Sequence, residues 1–427
     1  MHTSLVVLFA LIVLYTLFAR WLNNWSITMP VVFVLGGAIL GPSALGWLTF
    51  DLTTQTIEIL TELTLALLLF ADAATLEYHK IKDDVKMPGR LLGIGMPLTV
   101  VLGAGIAFLI FPSEGSGFAL LIAAILAPTD AALGLPIFTN PRVPVRIRRA
   151  LNVESGLNDG IATPLVTLFI SLWLEELGLQ QGNWLISAAS AILIGAIVGI
   201  GLGLIGGWGF RQAVEKGLTT GIGRQIGNPA LAMLTFFIAK GLGGNGFIAA
   251  FLAGLLFGYI SRHELEDATE YTETTGTLLS VLVWVVFGAS LVIPMIQNFN
   301  PLAFIYALLS LTVIRMLPVA ISMLGKRLRW DTIMMMGWLG PRGLASVVFM
   351  LMAFEATHEA QAPADLLLSI TGWTIGLSVL LHGVSALPLA NWYARRIKDL
   401  APDAPEMVEV EELVATRRKP RSIWFFN

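Results

Sequence analysis

The 427-residue chain contains no cysteine. That excludes disulfides, thiolate metal sites and a cysteine nucleophile. Charge is scarce too. Asp, Glu, Lys and Arg make up 13% of the residues, against about 25% in a soluble domain. The five histidines (His2, His79, His263, His358, His382) show no HxxxH or HExxH spacing, so no catalytic transition metal is expected. A net charge of −3 gives no ground for a nucleic-acid partner. No basic stretch precedes Leu5, so the first apolar segment reads as a membrane helix, not a signal peptide.

What the chain has is apolar length, with 56% hydrophobic residues. A membrane-crossing helix needs about 20 such residues. Thirteen runs qualify, near 3–22, 28–47, 57–77, 91–111, 117–139, 150–174, 184–208, 228–242, 243–260, 277–297, 301–324, 332–354 and 365–392. The expected fold is an all-α polytopic membrane protein. The eighth and ninth runs are short and separated only by Gly241-Leu-Gly-Gly-Asn-Gly246, so their separation is the point on which the count turns.

The basic residues test that count. Alternate loops carry Lys80, Lys82, Lys86 and Arg90; Arg142, Arg146, Arg148 and Arg149; Arg211, Lys216 and Arg224; Arg262; then Lys326, Arg327 and Arg329. The intervening loops have essentially none. By the positive-inside rule the N-terminus lies outside and the C-terminus in the cytoplasm. The tail, 393–427, is too short for a folded domain and reads as a solvated end, with lipid contact or regulation by Arg417–Arg421 as the other reading.

Two runs are interrupted. The fifth contains Ala127-Pro-Thr-Asp130 and the twelfth Gly337-Trp-Leu-Gly-Pro-Arg-Gly343. Proline removes a backbone donor and breaks the turn before it. If runs one to six (1–174) and eight to thirteen (228–392) are two halves, with 184–208 as the linker helix, these are the fifth helices of inverted six-helix repeats. Paired broken helices at matching positions mark a transporter's midplane site.

Carboxylates lie where they are costly, at roughly 2.5–3.5 kcal/mol each on insertion scales. Asp130 is in the first break, and the sixth run holds Glu154-Ser-Gly-Leu-Asn-Asp159. Ser155, Asn158 and Asp159 share one helix face. With Thr129 and Asp130 they form an oxygen-rich cluster suited to a small hard cation or to a proton. A carboxylate that holds either, never both, is the core of an exchanger. The embedded Arg315 and Arg342 need partners, and an ion pair with Glu154 or Asp130 is expected for each. Asp72, near one end of the third run, either lines a funnel or pairs with Lys80. Glu62 is assigned nothing, and Lys240 reads as a terminus reaching for the interface.

At these residues the chain resembles the monovalent cation–proton antiporters, in the NhaP-type sodium–proton exchanger subfamily. The resemblance rests on Ala127-Pro-Thr-Asp130 with Glu154-Ser-Gly-Leu-Asn-Asp159, supported by Arg315 and Gly340-Pro-Arg-Gly343. It implies that Asp159 exchanges cation for proton. Asp130, Thr129, Ser155 and Asn158 would complete the site, Glu154 would pair with Arg315, and Arg342 would support them. It implies a homodimer with helices 1 and 7 at the interface and an elevator-like shift of a six-helix core. The Asn158-Asp159 pair implies electroneutral exchange of Na+ or Li+, or alternatively K+, for H+. The chain departs from the pattern at Ala131-Ala132, where a proline is usual, which bears on how the helix resumes. No cofactor is expected, and a bacterial inner membrane is the default location. An intramembrane aspartyl protease would need YD and GxGD motifs, which are absent. A channel would not need a titrating carboxylate.

Overall fold

The computed structural model describes residues 2–410 apart from 26, 50, 51, 53, 54, 77–83, 139, 180–182, 262–265, 361–363, 399, 402 and 409. Lys80, Lys82, Arg262 and the basic run Arg417–Arg421 lie outside the described residues, so their expected roles are not placed. The described regular structure is helical throughout: α1 (His2–Asn24), α2 (Met29–Leu40), α3 (Gln55–Ala74), α4 (Lys86–Ile110, with a π turn at Leu91–Gly95), α5 (Gly115–Ile125), α6 (Ala131–Phe138), α7 (Val145–Glu176), α8 (Trp184–Glu215), α9 (Gly221–Gly241), α10 (Gly246–Ser261), α11 (Glu266–Phe287, extended by a π turn to Gln297), α12 (Pro301–Leu311), α13 (Val313–Ser322), α14 (Trp330–Trp338), α15 (Leu344–Glu359) and α16 (Asp365–Arg396). Among the described residues, seven helices are long and apolar enough to cross a membrane, and four shorter apolar ones accompany them.

Local chemistry sets several boundaries. Asn183, Asn245 and Asn300 cap α8, α10 and α12, each side chain accepting from two amides of the first turn. The short helices α9 and α10 are separate because Gly243 takes φ +79°, which a side-chain-bearing residue rarely adopts.

Two groups of helices pack closely, and α7 also lies on α8 between them. In one, α3 packs on α10 and α11, α8 runs along α10, and α2 lies on α11. In the other, α4 packs on α5, α5 on α7, α6 and α12 on α16, and α13 on α14. Glycine lets the first body close. Without a strong hydrophobic drive inside a bilayer, helices associate by close backbone approach at small residues. A Cβ at Gly199 would stand 2.5 Å from the Ala249 carbonyl oxygen, and one at Gly258 would strike the backbone of Ala74.

The start of the tail differs from the expected solvated end. Glu406 is buried, and its Oε1 accepts from the Arg329 amide at 2.7 Å and the Thr332 hydroxyl at 3.1 Å. The Arg146 guanidinium bonds both Asp84 and the Pro405 carbonyl. The reason is geometric: α14 begins with amides that its own helix leaves unpaired, and the Glu406 carboxylate reaches that of Arg329. At the same helix start, a hydrogen bond from Arg329 holds the Asp331 carboxyl below its usual range. Its small contribution is present above the ordinary carboxylate pKa and is lost as pH falls.

Two outcomes follow. Gly199→Val should destabilise the protein by about 1–3 kcal/mol through overpacking, read as a lower melting temperature in detergent. Glu406→Ala should cost about 1–3 kcal/mol by orphaning the Arg329 amide; an unchanged melting temperature would show that the docked tail contributes nothing.

Candidate functional site

The fifth and twelfth runs are each split. α5 stops at Ile125 and α6 starts at Ala131; α14 stops at Trp338 and α15 starts at Leu344. The two unwound stretches cross and bond directly: the Asp130 amide donates to the Pro341 carbonyl at 2.8 Å. Four half-helix ends thus meet in an apolar interior, each with backbone groups that its own helix cannot satisfy.

Two side chains answer that need. The Asp130 carboxylate accepts from the Ala132 amide at 2.6 Å and from the Leu344 amide at 3.2 Å. It therefore caps the N-termini of α6 and α15 together, where negative charge is favoured. Arg342, fully buried, does the converse. Its Nη1 donates to the carbonyls of Ala127 at 2.9 Å and Pro128 at 3.3 Å, and its Nη2 to that of Ser310 at 3.3 Å. The cation stands at the C-terminal ends of α5 and α12. Ser346 Oγ donates to the Ile125 carbonyl at 2.7 Å and completes the first of these ends.

The ion pair expected for Arg342 is therefore not what its guanidinium makes. Both Asp130 oxygens are occupied by amides, and both Glu154 oxygens belong to Arg315. That pair is bidentate, at 2.6 and 2.9 Å, with both side chains buried. Arg315 follows the bend at Thr312 that separates α12 from α13. The glycines of Gly340-Pro-Arg-Gly343 make room: a Cβ at Gly340 would strike the Arg315 guanidinium, and one at Gly343 the Asp130 side chain.

The oxygen cluster lies beside this crossing. Thr129 Oγ1 accepts from Asn158 Nδ2 at 2.7 Å and lies 3.2 Å from Ser155 Oγ. All three side chains are buried, and Asn158 Oδ1 has no hydrogen-bond partner among the described atoms. Asp159 is the next residue on α7 and is half-buried. Its backbone carbonyl accepts from Thr163 Oγ1 at 2.8 Å. The structure thus brings Thr129, Ser155 and Asn158 together next to Asp159. It turns Asp130 to the helix ends, and it leaves Asp72 in the last turn of α3, a helix that gives nothing else to the cluster. The arrangement offers a buried amide oxygen and two hydroxyls one residue along α7 from Asp159, a donor set suited to a small monovalent cation or a proton.

Several groups were not foreseen. Ser346, Ser378 and His382 bond backbone at the crossing, and the Ser310 carbonyl accepts from Arg342. The only signal in the sequence is a Ser378–His382 pair spaced i, i+4 inside an apolar helix. Lys240 is not a lone interfacial terminus: its Nζ lies 3.0 Å from Glu58 and 2.6 Å from Glu62. Beside them is a cavity of about 170 Å3 whose lining includes Glu58, Glu62, Glu355 and His358.

The chain was compared with known proteins. The family described as "Sodium/hydrogen exchanger, transmembrane" matches residues 7–392. A K(+)/H(+) antiporter NhaP from Alkalimonas amylolytica is 23% identical over 379 residues, covering 87% of this chain and 64% of that protein, so this chain spans less than two thirds of that relative's length. A Na(+)/H(+) antiporter NhaP from Pseudomonas aeruginosa is 26% identical over 398 residues, covering 85% of this chain and 89% of that one. The fold is that of the sodium proton antiporter MjNhaP1 from Methanocaldococcus jannaschii, at a TM-score of 0.74 and 20% identity over 93% of this chain and 98% of that one.

The buried Glu154–Arg315 pair yields a stability prediction. Glu154→Gln or Arg315→Met alone should each cost about 3–5 kcal/mol by leaving one buried charge. The double variant should lose clearly less than the sum, measured by thermal melting. Additive losses would mean that the two charges do not depend on each other.

Proposed function

The chain belongs to the sodium/hydrogen exchanger family, and on that premise we propose that it exchanges a monovalent cation for a proton across a membrane, with Asp159 carrying one or the other. The observation that carries this reading is the convergence of Thr129, Ser155 and Asn158 at the crossing, one residue along α7 from Asp159. The cation takes the Asp159 carboxylate together with the oxygens of Thr129, Ser155 and Asn158. Protonation of the Asp159 carboxylate is the competing event. Asp130 shapes the site by holding the two helix starts and supplies no second exchanging charge.

One exchanging carboxylate trades one cation for one proton, so the exchange is electroneutral. Na+ or Li+ is the favoured cargo. K+ is the second reading, because relatives of nearly equal similarity are named for each ion. The thirteen spans form two inverted six-helix repeats, 1–174 and 228–392, joined by the helix at 184–208, with the N-terminus outside and the tail at 393–427 in the cytoplasm. The body containing α5, α7 and α15 shifts against the other and carries the site from one side to the other. The exposed apolar faces of α1 (Phe9, Leu17) and α8 (Ile197, Ile205) support a homodimer joined there. The setting is a plasma membrane.

Proteoliposomes holding a pH dye test this. With an imposed proton gradient, added Na+, Li+ or K+ should drive proton movement whose rate is unchanged when the membrane potential is clamped. Acceleration on clamping would mean that net charge crosses, and electroneutrality would fall. Asp159→Asn should abolish the movement while melting as the wild type does; retained exchange in that variant would overturn the assignment.

A further inference from the structure

His382 has no part in the exchange scheme above, yet it is buried in α16 against the break in the twelfth run. Its Nε2 lies 2.8 Å from the Trp338 carbonyl. A carbonyl only accepts, so Nε2 carries a hydrogen. Trp338 is the last residue of α14, and its carbonyl also accepts from the Gly340 amide at 2.9 Å. The histidine therefore fills the second lone pair of a carbonyl that the broken helix leaves open. The Trp338 indole is held as well: its Nε1 donates to Ser385 Oγ at 2.9 Å, and its ring lies 4.9 Å from the imidazole.

The other side of the ring reaches the far end of the same break. Nδ1 lies 3.2 Å from Ser378 Oγ and 3.0 Å from the Ser378 carbonyl. That hydroxyl oxygen accepts from the Arg342 amide at 2.6 Å, so Ser378 joins the second edge of the imidazole to the Arg342 backbone. One imidazole thus pins Trp338 directly and Arg342 through Ser378, at the two ends of the unwound stretch 339–343. From Arg342 the chain of contacts continues to the carbonyls of Ala127 and Pro128, the two residues before Thr129. Thr129 in turn holds Asn158 and Ser155.

We propose that His382 is a positioning residue for the cation site: by fixing the unwound stretch 339–343 it sets where Thr129 stands, and so sets the apparent affinity for the transported cation. This rests on the exchange reading. Packing alone does not call for a histidine here. An apolar ring would fill the same volume and leave the Trp338 carbonyl and the Ser378 hydroxyl short of a partner.

Three variants of the full chain separate the contacts. His382→Asn keeps a polar group towards Ser378 but is too short for Trp338. His382→Gln places an amide N–H where Nε2 stands. Ser378→Ala removes the acceptor of the Arg342 amide. In proteoliposomes, His382→Asn and Ser378→Ala should raise the KM for Na+ or Li+ roughly tenfold, the scale seen when partners of ion ligands are removed. Maximal rate per folded protein should stay within about twofold, the pattern of lost binding, not lost turnover. His382→Gln should restore the KM.

KM values of His382→Asn and Ser378→Ala close to wild type would overturn the proposal. So would variants, His382→Gln included, that lose only the amount of folded protein. The cation concentration that half-maximally raises the melting temperature gives a second reading, independent of transport. It should rise in the same two variants and recover in His382→Gln. If the wild type moves no protons in response to cation, the exchange reading fails, and this midpoint still decides the role of His382: an unshifted midpoint overturns it.

Discussion

Four half-helix ends meet where the bilayer interior would leave their backbone groups without partners: Asp130 holds the starts of α6 and α15, Arg342 the end of α5 and His382 the end of α14. Asp130 caps two N-termini and Arg342 caps two C-termini. Each charge is matched to the sign of the partial charges it faces. Neither has to be neutralised by a side chain, because the helix ends themselves supply the opposite partial charge. The crossing can therefore be buried, and the stretches on either side can be irregular without exposing backbone to apolar surroundings.

The chemistry of the neighbouring cluster depends on this arrangement. Asp130 is committed to two amides and Glu154 to Arg315. Thr129 reaches that cluster only because the chain is unwound at that point; in a continuous helix its hydroxyl would return to its own backbone. The glycines at 340 and 343 are equally part of the design, since any side chain there would displace Arg315 or Asp130.

The remainder of the molecule divides the labour. One body is closed by glycine-lined contacts such as those of Gly199 and Gly258, which bring backbones together with little side-chain freedom between them. The other holds the crossing, and its end at α14 is tied by Arg329, Asp331 and Glu406. Polar side chains at these ties and at Lys240 sit where helices end, as expected where water or headgroups meet apolar segments.

The sequence by itself determined what depends on composition and local spacing. Long apolar runs announced a helical membrane protein, and Pro128 and Pro341 announced the breaks. Ser155, Asn158 and Asp159 announced a polar face, and Arg315 announced a carboxylate partner, with Glu154 and Asp130 both open to it, because a charge in an apolar run needs an opposite charge. Tertiary structure alone decided the rest. Arg342 and Asp130 bond to backbone, and every residue has a backbone, so no sequence signal marks those partners. His382 looked isolated because its partners, Trp338 and Arg342, are brought to it by the packing of α14 against α16. Glu406 looked like one acid in a solvated run until the start of α14 supplied amides for it to cap. Side-chain pairs leave a trace in the amino-acid order; side-chain-to-backbone bonds between distant segments appear only when the chain has folded.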